Sequence, residues 1–237
     1  SELEFDIPVE SEVVLTNGSA DFSNYVAIGA SFSAGVSDGT LFRESQNNSF
    51  PNSLASAFAN AGGGEFRQPL VNDNVGGLLL GGVQIAGPRL YFDGAAPAVL
   101  PGLPTTETFA PSNGPYNNLG VPGAKSVHLL YDGYGNAANL ATDPATANPY
   151  FVRMASSPNA SVLADAMAQA PTFFSLWIGN NDALGYATTG GDGTNPLTPI
   201  SGAPGAGFDG TYGALIATLT AGGAKGVVAN IPYVTSI

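Results

Sequence analysis

The sequence predicts an α/β fold, with a parallel β-sheet that carries helices on both faces. Two apolar runs rich in aromatic and β-branched residues, YVAIGA at 25–30 and TFFSLWIGNND at 172–182, have the composition of buried strands. A third run, GVVANIP at 226–232, has the same character. Helical patterns lie between these runs, and strands that alternate with helices form parallel sheets because each return of the chain needs a crossover.

The first strand is followed by a helix and then by a long irregular segment. FPNSLASAFANAG at 50–62 predicts an amphipathic helix, because its apolar residues recur at helical spacing between Pro51 and Gly62. Residues 63–118 are rich in Gly and Pro and contain one further predicted strand, RLYFD at 89–93. We interpret 63–118 as an insertion into the α/β domain.

The second half of the chain is again predicted to form regular secondary structure. NNLGVPGAKSVHLLYDG at 117–133 predicts a short apolar turn and then a helical turn. Further helices are predicted at PYFVRMAS (149–156), SVLADAMAQA (161–170) and TYGALIATLTAGG (211–223). A second Gly- and Pro-rich insertion covers about 185–210. The acidic residues 1–24 lack sustained periodicity and are interpreted as a leader segment, so that 25–237 forms one domain.

Composition restricts the partners of this chain. With 18 acidic and 6 basic residues the formal net charge is −12, which repels phosphate backbones and anionic lipids, so nucleic acid is not an expected partner. The chain has no cysteine, which excludes disulfides and thiolate sites. Its most apolar stretch, at 76–87, is too short to cross a bilayer. These features favour an exported bacterial protein, either periplasmic, extracellular or a cell-surface lipoprotein.

Three apolar segments end in small or amide-bearing residues: IGAS at 28–31, GVPG at 120–123 and IGNND at 178–182. Ligands of open α/β sheets bind at the carboxyl ends of the strands, so these segments are expected to meet. A serine at a strand-to-helix turn, a glycine N–H and an asparagine amide together supply a nucleophile and an oxyanion hole. Taken singly, each segment is also an ordinary turn or helix cap.

In this order, IGASFSAG, NNLGVPGA and WIGNND resemble the motifs of the SGNH or GDSL hydrolases, particularly lipase-like members of the Bacteroidetes type. The resemblance implies a three-layer α/β/α sandwich with a flavodoxin-like parallel sheet. It also implies that Ser31 is the nucleophile, and that Gly123 and Asn181 donate to the oxyanion. The chain departs from the family pattern at Ala30, where the family has Asp, and at Phe32, where it has Leu.

The family's fourth motif, an Asp three residues before a catalytic His, is not found in this sequence. The only histidine is His128, which is interpreted as structural, with a catalytic role as the weaker alternative. A fifth strand is also expected in the family, and neither feature occurs before Ile237. The expectation is therefore that a C-terminal fragment of the same protein supplies both, and that the chain without it has little esterase activity.

The expected activity is hydrolysis of carboxylic esters through an acyl-enzyme on Ser31, with a small ester or lipid-like substrate and no cofactor. The insertions are apolar enough to predict a pocket for short to medium acyl chains. Two alternatives stay open: a polysaccharide O-acetylesterase, and a non-catalytic surface or glycan-binding module on the same scaffold. GDGTNP at 191–196 and DGYGN at 132–136 resemble calcium loops but lack the terminal Glu, so both are interpreted as turns.

Overall fold

The computed structural model describes residues 15–110 and 114–233, and places an all-parallel, four-stranded sheet between helices. In chain order the elements are β1 (Tyr25–Gly29), α1 (Ser31–Ala34), α2 (Arg43–Asn47), α3 (Phe50–Ala59), β2 (Leu78–Leu80), β3 (Val83–Ala86), β4 (Leu90–Phe92), β5 (Pro97–Val99), β6 (Asn118–Gly120), a first 3-10 helix (Ser126–Leu130), a second 3-10 helix (Ala137–Ala141), α4 (Pro149–Met154), α5 (Val162–Met167), β7 (Phe173–Trp177), α6 (Asn180–Thr188), α7 (Phe208–Thr220) and β8 (Lys225–Val228).

The central sheet has the strand order β6-β1-β7-β8, with every neighbouring pair parallel. Counted along the chain, its four strands therefore lie in the order 2-1-3-4, which is compatible with the flavodoxin-like order 2-1-3-4-5. The register sets Gly29 opposite both Gly120 and Trp177. The strands β1, β6 and β7 thus end at the same level of the sheet.

Both faces of β1 are buried, which explains its continuous apolar sequence. Val26 and Ile28 belong to a large core cluster that also contains residues of α4, α5, α7 and the first 3-10 helix. Tyr25 and Ala27 belong to a second cluster, which Ala55 of α3 joins. Successive side chains of a strand point to opposite faces, so the two clusters lie on opposite sides of the sheet.

The strand predicted at 226–232 is present as β8, but its predicted burial is wrong for the described residues. Every residue of β8 is exposed, including Val227 and Val228. β8 pairs only with β7, and its outer edge has no strand partner in the described part of the chain. Apolar composition indicates a strand, whereas burial depends on neighbours that the composition does not specify.

The segment at 117–133, interpreted as a turn, instead begins with a strand of the central sheet, β6. With only three residues it is too short to give an apolar run. The insertion at 63–118 contains the predicted strand as β4, and it forms two antiparallel hairpins, β2–β3 and β4–β5. In the insertion at about 185–210, α6 and α7 occupy the ends, which leaves 189–207 without regular structure.

Part of the predicted leader segment lies against the sheet. Ala20 and Phe22 pack on the second core cluster, and the Phe22 ring stacks on Phe58 at 4.0 Å. The remainder of the leader up to residue 14, and the final residues 234–237, lie outside the described residues. The division into leader and domain stays a prediction. No helix within 15–110 and 114–233 is long and apolar enough to cross a membrane.

Candidate active site

Ser31 is the first residue of α1 and lies two residues beyond the end of β1. It is half-buried, and its hydroxyl makes no hydrogen bond to any residue that the structure describes. Gly35, in the left-handed region at φ 90°, ends the helix after one turn and donates its N–H to the Ser31 carbonyl at 3.0 Å. The turn therefore holds the Ser31 backbone while leaving its hydroxyl available.

Small residues at the strand ends allow α1 to approach the sheet closely. A Cβ at Gly29 would overlap the Trp177 carbonyl oxygen and the Ser33 hydroxyl. A Cβ at Gly120 would overlap the backbone of Ala34. These two glycines therefore let the helix that begins at Ser31 lie directly against β1 and β6.

Gly123 occupies a tight turn directly after β6. The turn runs from Val121 to Ala124, whose N–H donates to the Val121 carbonyl at 3.1 Å. Pro122 and a glycine at φ 80° fill its two central positions, as in a type II turn. Gly123 is exposed, and its N–H has no acceptor among the described residues, so this donor faces outward and is free to bind a ligand.

Asn181 and Asp182, in the first turn of α6, attach this helix to the Gly123 turn. The Asn181 Nδ2 donates to the Ala124 carbonyl at 2.8 Å. The buried Asp182 carboxylate accepts from the Ser126 N–H at 2.8 Å and from the Ser126 hydroxyl at 2.6 Å. Sequence reasoning missed this second link, although the Asp after Asn181 was a visible signal.

The three residues predicted from the motifs thus follow three adjacent strands that end at the same level. Ser31 follows β1, Gly123 follows β6 and Asn181 follows β7. The boundary between β1 and β7 is the point where the strand order reverses, and ligands of open α/β sheets bind at such a point. Hydrogen bonds of the described residues join Asn181 to the Gly123 turn, but none joins Ser31 to either.

No family model, curated protein or solved structure matches this chain. The chemistry of the site is therefore inferred from its own residues.

His128 lies on the first 3-10 helix, and its hydrogen bonding does not suit a general base. Its Nδ1 accepts a hydrogen bond from the Lys125 N–H at 3.1 Å, so in the neutral ring the proton is on Nε2. Burial, and secondarily the charge of Lys125, lower the pKa of His128, and the nearby Asp182 opposes this shift. The ring packs on Tyr134 at 4.8 Å. No hydrogen bond of the described residues connects His128 to Ser31.

A cavity of about 590 Å³ is lined by Phe32, the residue that follows Ser31 in the chain, whereas Ser31 itself is not part of the lining. Its aromatic wall consists of Phe32, Phe42, Phe50 and Trp177. Phe32 stacks on Trp177 with 4.6 Å between ring centroids, and Phe50 lies 5.5 Å from the same indole. Phe32, Trp177 and Phe50 therefore form one contiguous aromatic group, which starts one residue after Ser31 in the chain.

The remaining lining of this cavity combines Gly35 and Val36 with polar and charged residues. The acyl pocket expected from the sequence stays a prediction. Asp38, Glu44 and Arg89 contribute charged groups, and Ser37 and Asn48 contribute a hydroxyl and an amide. Of the two predicted insertions, only the first lines this cavity in the described structure, through Arg89. Among the residues at 15–110 and 114–233, no group of three acidic or histidine side chains is arranged to hold a metal ion.

Proposed function

We propose that this chain is the nucleophile-bearing part of a serine ester hydrolase of the SGNH or GDSL type. The supporting observation is the common end of β1, β6 and β7, which brings the Ser31, Gly123 and Asn181 segments to one edge of the sheet. The hydrogen bonds from Asn181 to Ala124 and from Ser126 to Asp182 fix two of the three segments relative to each other. Preorganised donors of this kind are what acyl transfer requires.

In the proposed reaction, the Ser31 hydroxyl oxygen attacks the ester carbonyl carbon while a base takes the hydroxyl proton. The negative charge that develops on the carbonyl oxygen is stabilised by the N–H groups of Ser31 and Gly123 and by the second Asn181 Nδ2 hydrogen. Collapse of this intermediate breaks the bond to the alcohol, which leaves with the proton from the base. Water then attacks the acyl-enzyme by the same route and releases the acid.

The base is proposed to come from a segment that covers the open edge of β8. A flavodoxin-like sheet has a fifth strand beside the fourth, and β8 exposes an unpaired edge at that position. Unpaired edges invite strand addition, so the C-terminal fragment expected from the family would complete both the three-layer α/β/α sandwich and the triad. His128 is unsuitable because its Nδ1 lone pair accepts the Lys125 N–H, so that the neutral ring carries its proton on Nε2 and has no free lone pair for the Ser31 proton. Export stays a prediction from composition.

Chemical rescue tests this function in the 237-residue chain. Hydrolysis of p-nitrophenyl butyrate should be near background, and added imidazole should stimulate it by replacing the missing base. Ser31→Ala should remove all stimulated turnover above the rate of imidazole in solution, whereas Ser56→Ala, which alters an exposed serine of α3, should retain it. Labelling by a fluorophosphonate with intact-mass detection should follow the same pattern.

Two results would contradict the proposal in different ways. If imidazole gives no Ser31-dependent turnover and no phosphonate adduct forms, the non-catalytic module is favoured. If the chain alone turns over at ordinary enzyme rates and His128→Ala abolishes this, the base is His128 and the covering segment is not needed for chemistry.

A further inference from the structure

The aromatic and polar cavity lined by Phe32, the residue after Ser31, has no role in the acyl-transfer chemistry described above. We infer that it binds a neutral sugar unit, so that the alcohol half of the ester is a saccharide. Sugar binding is independent of catalysis, whereas the assignment of the cavity to the alcohol half rests on the proposed function.

The aromatic wall provides the surface that a sugar ring needs. A pyranose has a face of C–H groups, which are slightly positive and pack against the negative face of an aromatic ring. Phe32, Phe50 and Trp177 form one contiguous aromatic group, with Trp177 in contact with both phenyl rings. Phe32 is 46% exposed, so part of this group faces the solvent from which a ligand would arrive.

The polar lining supplies partners for the hydroxyl groups of a sugar. The Glu44 carboxylate and the Ser37 hydroxyl make no side-chain hydrogen bond to the residues described, and the Asn48 amide oxygen is likewise unused. By contrast, the hydroxyls of Ser45 and Ser49 are occupied by bonds to Phe42 and Gln68. Hydrogen-bond acceptors without a partner among the described residues thus surround an aromatic surface, and the hydroxyl groups of a sugar can donate to them.

The charges of the cavity argue against the two other ligand classes. An acyl chain seated here would take the Glu44 carboxylate out of water without a compensating hydrogen bond, which is costly. An anionic ligand would meet two carboxylates and a single cation, Arg89, which already pairs with Asp38 at 3.8 Å and stacks on the Phe42 ring at 4.9 Å. A neutral ligand rich in hydroxyl groups avoids both penalties.

The cavity walls are held by hydrogen bonds between segments that are distant in sequence. The Leu90 N–H donates to the Asp38 carbonyl at 2.8 Å, and the Arg89 N–H donates to the Val75 carbonyl at 2.9 Å. The Gly77 N–H donates to the Leu41 carbonyl at 3.2 Å. The first insertion therefore fastens the loop between α1 and α2, and the site is largely formed before a ligand binds.

The chain contains one tryptophan, Trp177, so its fluorescence reports on this cavity directly. The Ser31→Ala protein would be titrated with neutral tetrasaccharides of xylose, glucose, mannose and N-acetylglucosamine, and separately with 1-decanol. At least one tetrasaccharide should give a saturable change in Trp177 emission, confirmed by calorimetry, and 1-decanol should give none.

Matched variants locate the binding. Phe50→Ala should weaken the affinity for the tetrasaccharide about tenfold, because it removes one stacking surface. Phe92→Ala, which alters an exposed phenylalanine outside the cavity, should leave the affinity unchanged. Glu44→Gln should weaken binding several-fold through the loss of a charged acceptor, and Glu65→Gln, at an exposed site elsewhere, should not.

The outcomes separate this inference from the proposed function. Saturable binding of 1-decanol with no response to any tetrasaccharide would overturn the sugar site in favour of an alkyl-chain site. The absence of a binding signal for all four sugars, in both fluorescence and calorimetry, would also overturn the sugar site, even if imidazole-stimulated hydrolysis is observed. Sugar binding without any Ser31-dependent hydrolysis would leave the sugar site intact and refute the esterase.

Discussion

β1 and β8 belong to the same sheet and both overlap runs that the sequence predicts as strands, but their environments are opposite. All five residues of β1 are buried, and the strand has a parallel partner on each side. All four residues of β8 are exposed, and β8 has one strand partner among the residues that the structure describes. Apolar composition therefore indicates that a segment can form a buried strand. Whether the strand is buried depends on the elements that pack beside it.

The same contrast holds for the loops that follow the strands. Beyond β6 and β7, side chains of one loop bond to the backbone of the other, as Asn181 does to Ala124 and Asp182 to Ser126. The residues described after β8 make no side-chain hydrogen bond to these loops, although the Ile231 side chain lies against Gly179. Both Ile231 and Tyr233 are exposed. The loops after β6 and β7 thus form an organised edge of the sheet, and β8 marks a side that is open to a further segment in the described residues.

The largest expected effect is at the organised edge. Asn181→Ala should lower kcat by about 10²–10³ with a smaller change in KM, because a donor to the oxyanion acts mainly in the transition state. The measurement is imidazole-stimulated hydrolysis of p-nitrophenyl butyrate over a range of substrate concentrations. Asn180→Ala is the matched control, since the Asn180 amide oxygen is buried without a donor among the described residues.

A rise in KM alone for Asn181→Ala would show that this residue positions substrate through the Ala124 turn. Equal losses in the Asn180 and Asn181 variants would show that the start of α6 matters only as a structural element.

The next prediction compares β1 and β8 by the same substitution, valine to alanine. Val26→Ala should lower the free energy of unfolding by about 2 kcal/mol, because Val26 is fully buried and its loss leaves a cavity. Val227→Ala should change it by less than about 0.5 kcal/mol, because that side chain is 49% exposed. Urea denaturation measures both. A loss at Val227 as large as at Val26 would mean that β8 is already covered in solution.

The arrangement of the inner strands was largely predictable from the sequence. The continuous apolar runs at 25–30 and 172–182 predict strands and the helical periodicity at 50–62 predicts a helix, and the structure confirms β1, β7 and α3 within these ranges. Glycines in the sequence also indicated the strand ends, where the α1 backbone lies against β1 and β6 and where the turn at Gly123 follows β6. These are local properties, set by composition and by the conformations that glycine allows.

The remaining features depend on contacts between distant residues. β6 has only three residues and is a strand because β1 lies beside it. The bond between Ser126 and Asp182 spans 56 residues. The charged lining of the cavity forms because Arg89, in the first insertion, lies beside the loop after α1. Apolar composition of the insertions did not reveal this, because it says nothing about which of their few charged residues faces inward.

The smallest expected effect concerns His128, which lies on the first 3-10 helix, after β6. Its folded-state pKa is lowered, first by burial and then by Lys125, below its value of about 6.5 in the unfolded chain. Between these two pKa values the unfolded chain binds more protons, so the free energy of unfolding should fall as the pH decreases below about 6.5. The aspartates with lowered pKa titrate below 3.8 and do not contribute in this range.

Urea denaturation at pH 7.5 and 5.5 measures this loss, and His128→Asn provides the control. The Asn Oδ1 can replace the His128 Nδ1 as acceptor for the Lys125 N–H without titrating, so the variant should lose less stability between the two pH values. His128 is the only histidine in the chain, which makes the difference between the two proteins specific to this ring. Identical pH dependence in both would mean that His128 is as hydrated when folded as when unfolded, and would return it to consideration as a base for Ser31.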